Sequence, residues 1–172
     1  MNYAAIKKTD VANGPGVRVS LFVSGCTHGC KGCFNSEAWD FGYGNPYTIQ
    51  TETEILKALA PDYIRGLSLL GGEPLDPRNR KEVLSLVEKV RLSYPKKDIW
   101  CYTGYDYEKD LLPLAQQGEK TVSSLLQLID VLVDGEFVEE LKNLKLPFRG
   151  SENQRLIDVQ ESLRQKKVVL AK

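Results

Sequence analysis

The chain lacks an excess of charge of either sign, and it lacks a long apolar run. Its 172 residues include 23 basic and 23 acidic side chains, so the net charge gives no reason to favour nucleic acid or an anionic membrane as partner. The longest apolar stretch, residues 125–133, is interrupted by Gln127 and Asp130 and is too short to span a membrane. The N-terminus shows no pattern of a secretory signal. We therefore expect a cytoplasmic, single-domain protein (residues 1–172) that acts on a small molecule or a protein.

Cysteine is scarce, but three of the four cysteines, Cys26, Cys30 and Cys33, lie within one short segment. Their close spacing favours a metal centre over disulfides. Soft thiolates select zinc, copper(I) or iron–sulfur clusters. A structural zinc ion needs four ligands, and His28, the candidate for the fourth, lies awkwardly between two of the cysteines. Three thiols instead suit a four-iron cluster that keeps one iron open to an outside ligand.

Strand and helix signals alternate along the chain. Short apolar, β-branched segments closed by glycine or polar residues predict strands at residues 17–24, 66–70, 98–103 and 130–134. A weaker strand signal covers residues 155–159. Apolar residues at helical spacing predict helices at residues 51–60, 79–93 and in a stretch ending near Leu128, with Thr51 and Glu54 forming a capping box for the first. The alternation predicts an α/β fold with a parallel sheet.

In sheets of this kind, ligands bind at the carboxyl ends of the strands. Four segments of the sequence follow predicted strands and become candidates for the site: residues 25–33, 71–74, 103–105 and 134–136. In the first of them, Gly25, Gly29 and Gly32 let the backbone turn sharply between the cysteines. The thiols can therefore face one site.

The C-x3-C-x2-C spacing at the end of the first predicted strand resembles the motif of the radical S-adenosylmethionine superfamily. A second match is Gly71-Gly72-Glu73-Pro74, since the family often carries a Gly-Gly-Glu run after its second strand. Residues 13–18 resemble the N-terminal signature of glycyl-radical enzyme activases. The branch that acts on anaerobic ribonucleoside-triphosphate reductase is favoured by the short chain and by residues 32–35, 100–105, 131–138 and 149–154.

This resemblance, which covers roughly residues 1–159, implies a compact, incomplete (β/α) barrel of mainly parallel strands. It implies a 4Fe-4S cluster on Cys26, Cys30 and Cys33, with S-adenosylmethionine chelating the open iron. Reductive cleavage would give methionine and a 5′-deoxyadenosyl radical, which would take a hydrogen atom from a glycine of the partner. The implied partner is the large subunit of anaerobic ribonucleoside-triphosphate reductase, and reduced flavodoxin or a similar protein would supply the electron.

The resemblance and the strand ends together suggest residues that bind S-adenosylmethionine. The carbonyls of Gly71 and Gly72 can accept hydrogen bonds from its ammonium group, and Glu73 adds a negative charge nearby. Thr103 and Asp134, at later strand ends, are further candidates for the carboxylate side or the ribose.

The adenine contact departs from the family pattern. Many members have an aromatic residue immediately before the third cysteine, whereas this chain has Gly32 there and Phe34 immediately after that cysteine. Phe34 is therefore included among the cofactor-binding candidates.

Three other functions stay open on the sequence alone. The chain could activate another glycyl-radical enzyme, such as one of the pyruvate formate-lyase type. It could be a radical S-adenosylmethionine enzyme that acts on a small molecule. It could also be a non-catalytic metal-binding or electron-transfer module.

Four features also have plainer structural interpretations. Cys101, within an apolar strand, is expected to be buried and inert. His28 is expected to be a solvated loop residue. Arg18, a charge in an apolar strand, should need a partner. Residues 149–155 could form a plain surface loop, cover the cofactor or contact the partner.

Overall fold

The computed structural model describes all 172 residues and contains one sheet of seven strands. The strands are β1 (Asn2–Asp10), β2 (Val17–Val23), β3 (Asn45–Pro46), β4 (Ile64–Gly71), β5 (Asp98–Tyr102), β6 (Val131–Asp134) and β7 (Arg155–Asp158). The helices are α1 (Ile49–Leu59), α2 (Arg80–Ser93), α3 (Leu112–Gln116), α4 (Lys120–Leu128) and α5 (Val159–Gln165). None of them has the length and apolar character needed to cross a bilayer.

The sheet is open and mixed, with strand order β3-β1-β2-β4-β5-β6-β7. The four central strands β2, β4, β5 and β6 are parallel, whereas β1, β3 and β7 pair antiparallel at the edges. The loop between β1 and β2 is too short for a crossover, so these two strands must run in opposite directions. The α/β class is confirmed, but the sheet is less parallel than expected and does not close. An incomplete barrel stays a prediction.

The central strands and α2 lie close to where the sequence places them, and the edges differ more. β1 was not predicted, because its mostly half-buried and exposed residues lack the apolar signal of a central strand. The predicted position of the capping box was wrong by one turn, because Thr48, and not Thr51, is the N-cap of α1. Thr48 has extended backbone angles, and its hydroxyl accepts from the Thr51 amide at 3.3 Å. The weak signal at residues 155–159 is confirmed as β7, which ends at Asp158.

The two faces of the sheet differ in character. Alternate residues of β2, such as Val19 and Leu21, join a buried apolar core with side chains of α1, α2 and α4. The opposite face carries the intervening residues, such as Arg18 and Ser20 of β2 and Tyr102 of β5. It borders the cavity described below. The helices thus pack on one face and leave the other face open to the cavity.

Arg18 has the partner that its burial requires. Its fully buried guanidinium lies 2.6 Å from an oxygen of Asp98 and donates from Nε to the Ser68 hydroxyl at 2.7 Å. Burial lowers the pKa of Arg18, and the Asp98 charge opposes that shift. The Ser68 hydroxyl in turn donates to the Asn13 carbonyl at 2.6 Å. Arg18 therefore fixes the loop that precedes β2.

Replacing Arg18 by methionine is expected to lower the free energy of unfolding by about 3–5 kcal/mol, because Asp98 and the Ser68 hydroxyl both lose their buried donor. Arg65→Met is the matched control. Arg65 binds the other oxygen of Asp98 at 3.0 Å, but its side chain is 60% exposed, so its loss should cost less than about 1 kcal/mol. Urea denaturation measures both values. Equal losses in the two variants would contradict this assignment.

Candidate metal centre and cofactor cavity

The segments that follow β2 and β4 are hydrogen-bonded to each other at the carboxyl edge of the sheet. The Glu73 amide donates to the Gly25 carbonyl at 2.8 Å, and the Gly72 amide donates to the Val23 carbonyl at 2.7 Å. A Cβ at Gly72 would lie 2.5 Å from the Gly25 oxygen. The Gly-Gly run is thus required for contact with the cysteine loop itself.

Asn79, just before α2, reinforces this junction. Its buried amide nitrogen lies 3.0 Å from the Ser24 carbonyl and 3.0 Å from the Glu73 carbonyl. One side chain therefore holds both loops in place. The sequence marked Asn79 only as a helix start, and no local pattern indicates contacts with a residue 55 positions away.

The three cysteines of the loop are free, half-buried thiols that border the same cavity. Burial raises the pKa of Cys26 to about 11 and also raises that of Cys30, while nearby backbone N–H groups act in the opposite direction. The Asn35 amide donates to the Cys33 sulfur at 3.4 Å. Such N–H groups near the sulfurs are a usual feature around iron–sulfur clusters.

The thiols do not converge on one point, since no three His, Cys, Asp or Glu side chains are arranged to hold a single metal ion. A four-iron cluster does not require such convergence, because each thiolate binds a different iron. Three soft donors on one loop at the edge of a cavity therefore fit a cluster. The arrangement offers a zinc ion no ready ligand set.

The prediction that His28 is a solvated loop residue is wrong. Its side chain is 11% exposed, with Nε2 2.7 Å from a Glu73 oxygen and Nδ1 2.9 Å from a Glu136 oxygen. The hydrogen bond with Glu73 raises the pKa of His28 to about 9. The ring also lies against Gly104, where a Cβ would be 2.6 Å away, and edge-on to Tyr105. His28 thus connects the loops that follow four strands.

The carboxylate of Glu73 is occupied within the protein. Besides His28, it accepts from the Leu75 amide at 2.9 Å, the Thr103 hydroxyl at 2.8 Å and the Gly104 amide at 2.8 Å. Glu73 is 1% exposed. Glu73 and Thr103 border the cavity, as predicted for cofactor-binding residues, but their polar groups already hold each other.

Asp134 is not brought to the cavity. Its carboxylate accepts from Arg155 at 2.6 and 3.0 Å and from the Tyr107 amide at 2.9 Å, and it is 1% exposed. The cause is the antiparallel pairing of β6 with β7, which places Arg155 directly opposite Asp134. The structure therefore gives no support to contact between Asp134 and a cofactor.

A cavity of about 560 Å³ adjoins the cysteine loop. All the other predicted site residues border it: Cys26, Cys30, Cys33, Phe34, Gly71, Gly72, Glu73 and Thr103. Phe34 lies at its rim, 60% exposed, with its ring centre 5.1 Å from that of Phe137. The volume suits a ligand of nucleotide size.

Part of the segment 149–155 borders this cavity, so the segment is not a plain surface loop. Arg149, Gly150 and Gln154 border it, and the Gln154 side chain accepts from the Gly150 amide at 2.9 Å. The same side chain donates to the Gly135 carbonyl at 3.0 Å, which connects the segment to the end of β6. Cys101, by contrast, is fully buried in the core, as expected.

The sequence matches a family of known proteins over this whole region. The family model described as a 4Fe-4S single cluster domain matches residues 12–157. An anaerobic ribonucleoside-triphosphate reductase-activating protein of Enterobacteria phage T4 is 44% identical, over 91% of this chain and 93% of that protein. Proteins of the same name from Escherichia coli K12 and Vibrio cholerae are 45% and 47% identical, each over 90% of this chain and 96% of the relative. The chain therefore belongs to the 4Fe-4S single cluster domain family and, within it, to the anaerobic ribonucleoside-triphosphate reductase-activating proteins.

Proposed function

We propose that this chain is a radical S-adenosylmethionine enzyme that activates anaerobic ribonucleoside-triphosphate reductase by generating a glycyl radical on it. One observation carries the proposal: three free thiols on a single loop border the same cavity as the Gly-Gly-Glu run. The names and high coverage of the relatives support the reductase as the partner. The protein would act in the cytoplasm.

A 4Fe-4S cluster that binds S-adenosylmethionine at its open iron would, after one-electron reduction, supply cleavage to methionine and a 5′-deoxyadenosyl radical. That radical would take a hydrogen atom from a glycine of the reductase large subunit. Reduced flavodoxin or a similar protein would provide the electron. Cys26, Cys30 and Cys33 would hold the cluster. His28, Glu73 and Asn79 would keep their loop in place through the hydrogen bonds described above.

Some other cavity residues and the Gly-Gly run would bind and shield the ligand. Gly71 and Gly72 leave backbone carbonyls near the cysteine loop that can accept from the ligand's ammonium group. Phe34 at the rim offers a ring face to the adenine. Gly150 and Gln154 border the cavity and would limit the access of water. We also propose that the fold is an incomplete barrel. The cavity would then occupy the interior of the barrel.

Anaerobic reconstitution with iron and sulfide, followed by dithionite and S-adenosylmethionine, tests the cleavage step. We expect methionine and 5′-deoxyadenosine in equal amounts, and neither product when dithionite is omitted. A fully reconstituted, reduced protein that forms neither product would contradict the proposal. A product formed without dithionite would also contradict it.

A further inference from the structure

The cavity extends well beyond the cysteine loop. It continues along the face of the sheet opposite the helices and reaches Ala12 and Asn13, which precede β2. The Asn13 carbonyl accepts from Ser68, which pairs with Ser20 of β2. From Ser20 to Val23, at a rise of roughly 3.3 Å per residue, the cavity therefore extends about 10 Å along the sheet from the end of β2. Part of the cavity therefore lies away from the cysteine loop.

Two buried hydrogen-bond donors, on residues that border this cavity, have no partner. They are the hydroxyl of Tyr102, at the end of β5, and Nε of Arg149. Buried donors are nearly always satisfied, because leaving one unpaired is costly. Both donors therefore call for an acceptor that enters the cavity.

Arg149 is held firmly in this position. The preceding residue, Phe148, has a φ of +57°, which a bulky side chain rarely adopts, and its ring packs edge-on against Trp100 at 5.5 Å. The following two amides, of Gly150 and Ser151, both donate to the Gln154 side chain, at 2.9 and 3.2 Å. The neighbours on both sides thus direct Arg149 to the cavity.

The charges in the cavity also favour a ligand that accepts hydrogen bonds. Glu73 and Glu136 are both bound by His28. Arg149 and Lys7 also border the cavity, and neither forms an ion pair. Oxygen acceptors are therefore the groups that the cavity can still bind.

A glycine substrate matches these requirements. Glycine has no side chain, so an enzyme that reacts at its Cα must hold the segment through backbone groups. An extended segment presents carbonyl oxygens at regular intervals along about 10 Å of cavity. We propose that Tyr102 Oη and Arg149 Nε donate hydrogen bonds to backbone carbonyls of the partner's glycine-bearing segment and so position it for hydrogen abstraction. This inference rests on the proposed function.

The test compares Tyr102→Phe and Arg149→Gln with two control variants at exposed sites, Tyr63→Phe and Arg164→Gln. Calorimetry measures the Kd for the reductase large subunit. Product analysis measures S-adenosylmethionine cleavage without the reductase, and electron paramagnetic resonance measures the glycyl radical. Each cavity variant should raise the Kd about tenfold and lower the radical yield at limiting reductase, with partner-free cleavage within about twofold of wild type. The controls should change nothing.

Two results would overturn the inference. A parallel loss of partner-free cleavage would show that the donors bind the cofactor. An unchanged Kd and radical yield would show that they bind only water. If the wild type binds the reductase without forming a glycyl radical, the proposed function is wrong. The Kd values of the variants would still show whether Tyr102 and Arg149 bind the partner.

Discussion

Serine in place of Cys30 is expected to abolish cluster assembly. A serine hydroxyl is a hard donor that stays protonated, so one corner of the cluster would lose its soft thiolate ligand. The chain has no other thiol at the cavity, because its fourth cysteine, Cys101, is fully buried in the core. Iron and sulfide after anaerobic reconstitution should fall from about four of each per chain to background. Reductase activation should be lost with them.

The fourth cysteine provides the matched control for this experiment. Cys101→Ala should keep the full iron and sulfide content and should lower the free energy of unfolding by about 1 kcal/mol, the usual cost of a small core truncation. A Cys30→Ser protein with a full complement of iron would contradict the ligand assignment. A Cys101→Ala protein without iron would contradict it equally.

Leucine in place of Glu73 is expected to lower the free energy of unfolding by about 3–5 kcal/mol. Glu73 is 1% exposed, and its carboxylate binds His28, the Thr103 hydroxyl and the amides of Leu75 and Gly104. Leucine fills a similar volume but accepts none of these bonds, so several buried donors would be left without a partner. Anaerobic urea denaturation measures the loss.

Glu136→Leu removes the other carboxylate from the same imidazole and serves as the control. The Glu136 side chain is 54% exposed, so its loss should cost less than about 1 kcal/mol. Similar costs for the two variants would mean that Glu73 does not organise the strand ends. The hydrogen bonds of the buried Glu73 carboxylate would then not account for the loss of stability.

The parts of the site that the sequence predicted are those with local signals. The cysteine spacing, the Gly-Gly-Glu run and each central parallel strand are defined within a short segment of the sequence. Strong apolar runs mark the strands. The structure brings the Gly-Gly-Glu run to the cysteine loop, as the rule for strand carboxyl ends predicts. The edge strand β1 was missed because it has no such apolar run.

The contacts that the sequence did not predict involve partners that are distant in sequence. His28 binds Glu136, which is 108 positions away, and nothing near His28 indicates that contact. Asp134 was placed correctly at a strand end, but the antiparallel β7 brings Arg155 against it and occupies its carboxylate. A strand direction and a long-range ion pair are properties of the folded chain, so local patterns could not predict them.

The most direct test of the central claim is electron paramagnetic resonance on the reduced, reconstituted protein mixed anaerobically with S-adenosylmethionine and the reductase large subunit. The proposed mechanism predicts that S-adenosylmethionine changes the signal of the reduced cluster and that a glycyl doublet then forms on the reductase. A cluster signal that is indifferent to S-adenosylmethionine, with no glycyl doublet, would contradict it.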